Sequence, residues 1–115
     1  MRQDSCIFCK IIAKEIPAGV QYEDDRVLAF NDIAPVAPVH ILIIPKIHMA
    51  SLAYVTEPDV AMLGHIQWVT AQIAAGIPEL ADGYRVITNC GEWAGQSVFH
   101  LHYHLVGGKP LAWSF

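Results

Sequence analysis

Three histidines, His100, His102 and His104, stand at every second position of one run. The residues between and after them, Leu101, Tyr103, Leu105 and Val106, are large and mostly apolar. Alternation of this kind predicts a β-strand. Side chains two apart on a strand share a face and lie roughly 6.5–7 Å from each other. The three imidazoles are therefore expected in a row, with Leu101, Tyr103 and Leu105 turned to the other face. Such a row packs badly. Each ring has two nitrogens that need partners when buried, and each titrates near neutral pH. A solvated strand face would tolerate it, but the row favours a functional site. The chemistry on offer is nucleophilic and acid–base. A neutral imidazole is a competent nucleophile, and a covalent intermediate on it turns one hard displacement into two easier ones. Flanking imidazoles can hold anionic oxygens or protonate a leaving group. A zinc site built from the three alone is disfavoured, because alternate residues of one strand do not converge at the ~2.0–2.1 Å of Zn–N bonds.

Other residues of the same chemical kinds lie elsewhere. His40 is alone in an apolar stretch, either a core histidine bonded to a carbonyl or a support for the row. Gly95-Gln96-Ser97 leads into the row and is either a hairpin turn or a place where backbone N–H groups approach an anion. Asp32 precedes a proline loop and fits a turn-forming side chain. Cys6 and Cys9 form a Cys-x-x-Cys. On an apolar helix that is more often a buried pair, but with histidines elsewhere it is a zinc candidate. Cys90 is the third, unpaired cysteine.

These residues need elements to position them. Asp4 or Ser5 would cap a short helix over residues 6–14, with Ile7/Ile11 and Phe8/Ile12 as an apolar stripe. Residues 20–23 and 26–31 read as a hairpin turning at Asp24-Asp25. Residues 39–44 read as a central, buried strand, left at Pro45, with a short turn or helix near residues 51–53. Thr56 with Asp59 resembles a capping box for a helix from about Pro58 to Ala75. Met62, Ile66, Val69 and Ile73 would face the sheet. Gly64, Trp68 and Ala71 would lie opposite, under a partner helix or in solvent, and His65 reads as structural. Residues 84–89 and the histidine run give two more strands. The hairpin rules out a purely parallel sheet, so the class is α+β and mostly antiparallel.

The chain has 115 residues, enough for a single domain over 1–115. It is 54% hydrophobic and 16% charged, which leaves apolar surface for a subunit interface. A net charge of −4 without a basic cluster argues against nucleic-acid binding. No apolar run is long enough to span a membrane. The absence of a signal-peptide pattern and an odd cysteine count lead us to expect a reduced cytoplasm.

The run Gly95-Gln96-Ser97-Val98-Phe99-His100-Leu101-His102-Tyr103-His104-Leu105-Val106 resembles the signature of the histidine triad (HIT) family, His-φ-His-φ-His-φ-φ with φ apolar. Residues 9–18, 23–33 and 38–48 are similar to its Hint branch, as are Leu63-Gly64-His65, Gly83-Tyr84-Arg85 and Trp113. Asn31, where that branch often has histidine, and Gly91-Glu92-Trp93-Ala94 depart from it. The resemblance implies a five-stranded antiparallel sheet with two helices, paired in a homodimer into a ten-stranded sheet. It implies hydrolysis of adenosine and other purine nucleoside 5′-phosphoramidates to AMP and an amine, with no cofactor required for the chemistry. His102 would be the nucleophile, His100 and His104 its flanking supports, His40 an orienting residue, and Ser97 or His104 the proton donor to the amine. Asp32 would bind ribose. Ile7, Phe8, Phe30 and Ile33 would wall the base. Gly95, Gln96 and Ser97 would meet the phosphate, Asn89 the phosphate or ribose side, and Trp113 would shape the acceptor side. In some members Cys6, Cys9, His48 and His100 would correspond to a structural zinc site. Two further readings stay open: a nucleotide-binding dimer that engages partner proteins with residual hydrolysis, and a diadenosine polyphosphate hydrolase.

Overall fold

The computed structural model describes residues 3–113. In chain order it contains helix α1 (Ile7–Ile12), strands β1 (Val20–Glu23), β2 (Val27–Asn31) and β3 (Val39–Pro45), helix α2 (Val60–Ala75), and strands β4 (Tyr84–Ile87) and β5 (Tyr103–Gly107). The five strands form one antiparallel sheet in the order β1-β2-β3-β5-β4, as expected for the class.

β3 is central and buried because both faces of the sheet are covered. Ile41 and Ile43 join Val27, Ala29, Leu105, Ile66 and Val69 in the core beneath α2. Leu42 and Ile44 join Leu28, Phe30, Phe8 and Ile11 beneath α1. The strand period of two thus splits one apolar run between two cores, and each fully buried aliphatic side chain contributes roughly 1.5–3 kcal/mol before entropy is counted.

The helix ends differ from the sequence expectation. α1 is capped by Cys6, not by Asp4 or Ser5: its Sγ accepts the Cys9 N–H at 3.3 Å. α2 begins two residues after Pro58, following a 3-10 turn over Glu57–Asp59. There the N–H and hydroxyl of Thr56 both donate to Asp59 Oδ2, at 2.9 and 3.1 Å. Ile66 and Val69 are buried, and Met62 and Ile73 pack against the same core. Trp68 is 55% exposed. His65 is structural as read: it bonds the Asp24 carboxylate, which also accepts Tyr22 OH and the N–H groups of Arg26 and Val27. Burial pushes the Asp24 carboxyl up, but those donors outweigh it and hold the group well below the usual carboxylate range.

One correction bears on the site. The histidine strand begins at Tyr103, so His100 and His102 precede the ladder, and β4 ends at Ile87 instead of Asn89. β3 ends at Pro45, which has no N–H to offer a neighbour. The chain beside it therefore pairs elsewhere. Leu101 N–H donates to Met49 O at 2.7 Å, and His102 O accepts the Thr88 hydroxyl at 2.9 Å. The facing still alternates: Leu101, Tyr103 and Leu105 lie in the α2 core, as expected. Among the described residues no helix is long and apolar enough to cross a membrane.

Candidate active site

The α1 side of the sheet gathers five imidazoles. His104 stands on β5 opposite Leu42 of β3, and His40 lies two residues from Leu42 on the same face. His40 Nε2 and His104 Nδ1 are 2.9 Å apart. The rings of His102 and His104 are 5.0 Å apart, and Phe8 of α1 meets His102 edge-on at 5.1 Å. His102 Nδ1 lies 2.7 Å from the carbonyl oxygen of His100. A carbonyl only accepts, so His102 Nδ1 carries the proton and Nε2 keeps its lone pair. Burial lowers the pKa of His102, against the opposing pull of the His100 carbonyl and the Asp32 charge. Burial, with the charges of His102 and His40, lowers His104 to about 4. With both pKa values lowered, the uncharged form of each ring is favoured at neutral pH.

His100 faces another way. Its Nε2–H donates to Pro45 O at 2.8 Å, which leaves Nδ1 bare. That nitrogen lies 3.4 Å from Cys6 Sγ, 3.6 Å from Cys9 Sγ and 3.1 Å from His48 Nδ1. Cys9 Sγ and His48 Nδ1 are 3.4 Å apart. Zinc–sulfur bonds of ~2.3 Å and zinc–nitrogen bonds of ~2.0–2.1 Å, set tetrahedrally, give S···N edges of about 3.5 Å and N···N edges of about 3.3 Å. The four donors thus already stand near the corners of a zinc-sized tetrahedron, and their number, type and burial fit the ion. Burial raises the Cys6 thiol pKa and lowers those of His48 and His100, the latter to about 4.

Some of the remaining candidates line two recesses, and the others lie outside both. One, of about 480 Å³, is lined by Asn31, Asp32 and His40. Asp32 Oδ1 accepts the Ala34 N–H at 2.8 Å, the turn role open from sequence, while Oδ2 is 3.4 Å from His40 Nε2. The other, of about 460 Å³, is lined by Cys6, Ile7, His48, Ser97 and Phe99. Phe8 and Phe30 are buried in the α1 core, whereas Ile7 is half exposed and Ile33 and Trp113 are exposed. Asn89 Nδ2 donates to Ala94 O. Gly95 has φ +83°, in the left-handed region that favours glycine. The buried Gln96 side chain is engaged within the loops: its amide donates to Ala50 O and Val98 O, and its oxygen accepts Gly91 N–H. Sequence reading missed Thr88 and the carbonyls of Pro45 and Met49, which hold the histidine segment. Only the Thr88 hydroxyl carries any sequence signal.

The HIT domain family model matches residues 13–111. The chain is 52% identical to an uncharacterized HIT-like protein of Synechococcus elongatus, over 98% of this chain and 97% of that protein. It is 50% identical to the 14 kDa zinc-binding protein of Zea mays, over 93% of this chain and 84% of that one. A HIT family hydrolase of Legionella pneumophila superposes with a TM-score of 0.92 at 43% identity, covering 95% of this chain and 97% of its own. With its sheet, its clustered histidines and a family match across most of its length, the chain belongs to the HIT domain family.

Proposed function

We propose that the protein is a nucleotide hydrolase that cleaves purine nucleoside 5′-phosphoramidates to the nucleoside monophosphate and an amine. The observation that supports this reading is the 2.7 Å bond between His102 Nδ1 and the His100 carbonyl, which leaves the Nε2 lone pair free for attack. Nε2 forms a bond to phosphorus as the phosphorus–nitrogen bond of the substrate breaks. The departing amine takes a proton from His104 or Ser97. Water then attacks phosphorus, releases the nucleotide and returns His102 to its neutral form. Asp32 Oδ2 accepts from ribose hydroxyls. Phe8, Phe30, Ile7 and Ile33 border the base. Asn89 and the backbone of Gly95, Gln96 and Ser97 meet the phosphate, and Trp113 borders the leaving group. The hydrolase name of the Legionella relative supports the reaction class.

Cys6, Cys9, His48 and His100 hold a structural zinc in this reading, in keeping with the name of the maize relative. The ion ties α1 to the segment after β3 and to the loop before β5, and takes no part in the displacement.

The test is to mix the protein with an adenosine phosphoramidate, quench it and look for an acid-labile nucleotidyl adduct. Wild type should form the adduct and turn over. His102→Asn should form none and lose at least about 10³-fold in kcat. Full turnover by His102→Asn would end the proposal.

A further inference from the structure

The loop between β2 and β3 reaches back to the site through its backbone. Asp32 N–H bonds His40 O at 3.0 Å, which closes the loop at its base. The Ala34 N–H bonds Asp32 Oδ1, and Pro35 and Pro38 limit φ on either side of Val36. The Val36 side chain is 68% exposed, but its N–H points inward and donates to His40 Nδ1 at 3.1 Å.

We infer that the backbone N–H of Val36 is a positioning group that sets the tautomer of His40 and, through it, that of His104. An N–H can only donate, so His40 Nδ1 keeps its lone pair and the ring's proton is on Nε2. That proton faces His104 Nδ1 at 2.9 Å, so His104 Nδ1 must accept. The proton of His104 is thereby forced onto Nε2, its only other nitrogen. The adjacent ring, His102, has the opposite tautomer, imposed by the His100 carbonyl. Two backbone groups on different loops therefore leave one ring with a bare Nε2 and its neighbour with a protonated one, a nucleophile beside a donor. The same logic bars Asp32, His40 and His104 from acting as a metal site, although their donor atoms lie close together. A protonated Nε2 on His40 has no lone pair for an ion.

The tautomers belong to the resting chain, and only the kinetic part of the test rests on the phosphoramidase reading. Long-range proton–nitrogen NMR on protein labelled with ¹⁵N in its imidazoles reads each tautomer directly. Wild type should show Nε2–H for His40 and His104 and Nδ1–H for His102. Val36→Ala keeps the amide and should keep this pattern. Val36→Pro removes the donor and fixes φ there; His104 should then populate both tautomers, with kcat reduced at least about tenfold and KM changed less than about twofold. His40 protonated at Nδ1 in wild type, or His104 wholly Nε2–H in Val36→Pro, overturns the inference. If Val36→Pro does not fold, the wild-type spectrum decides alone. Absence of turnover in wild type with the expected tautomers would refute the phosphoramidase reading and leave this one standing.

Discussion

His104 shows how much of the site is set by single atoms. Burial, then the charges of His102 and His40, lower its pKa to about 4, against about 6.5 in an unfolded chain. Between those values the unfolded chain binds a proton that the folded chain refuses, so stability rises with pH across that window. The contribution is complete above pH ~6.5 and is lost as pH falls toward 4. Denaturant midpoints measured from pH 7.5 to 4 should therefore fall more steeply for wild type than for His104→Gln, which has nothing to titrate there. Parallel curves would show that the ring is not held neutral. Little of this was legible in the sequence. Spacing announced three imidazoles, and His40 stood out as the one polar residue of an apolar strand. Which nitrogen bears each proton depends on a carbonyl and an amide that any residue type supplies.

At the scale of elements, the question is what holds α1. Six residues form no stable helix alone. Phe8, Cys9 and Ile11 bury its inner face, and Cys6 and Cys9 place two thiols against His48 and His100. If those four hold zinc, elemental analysis should find about one equivalent per chain. Cys9→Ser should lose it and melt at least about 5 °C lower. Unchanged metal content and melting in Cys9→Ser would rule out the assignment. Periodicity gave the sheet, both helices and the facing of Leu101, Tyr103 and Leu105. It misplaced the start of β5 because the cause lies on another strand, at Pro45. It misassigned the cap of α1 because a thiol is not among the usual capping groups.

For the whole molecule, the outward face of α2 and the edge strand β4 remain uncovered by the described residues. Trp68 is 55%, Tyr84 45% and Val86 38% exposed, and a side chain at Gly64 would meet nothing within 4 Å. We propose that two copies pair β4 to β4 and α2 to α2, extending five strands to ten. Sedimentation equilibrium should then give twice the 12.7 kDa chain mass. Trp68→Asp with Val86→Asp should give the single mass. A wild-type monomer at micromolar concentration and above would refute the pairing. The strand order also carries a cost during synthesis. β5 lies between β3 and β4, so a growing chain completes the meander β1-β2-β3 and all of α2 before the partner of β3 exists. Throughout that interval the flank of Ile41, Leu42, Ile43 and Ile44 is an open, greasy edge, the kind that captures strands from neighbouring nascent chains. The last strand made is the one that closes it.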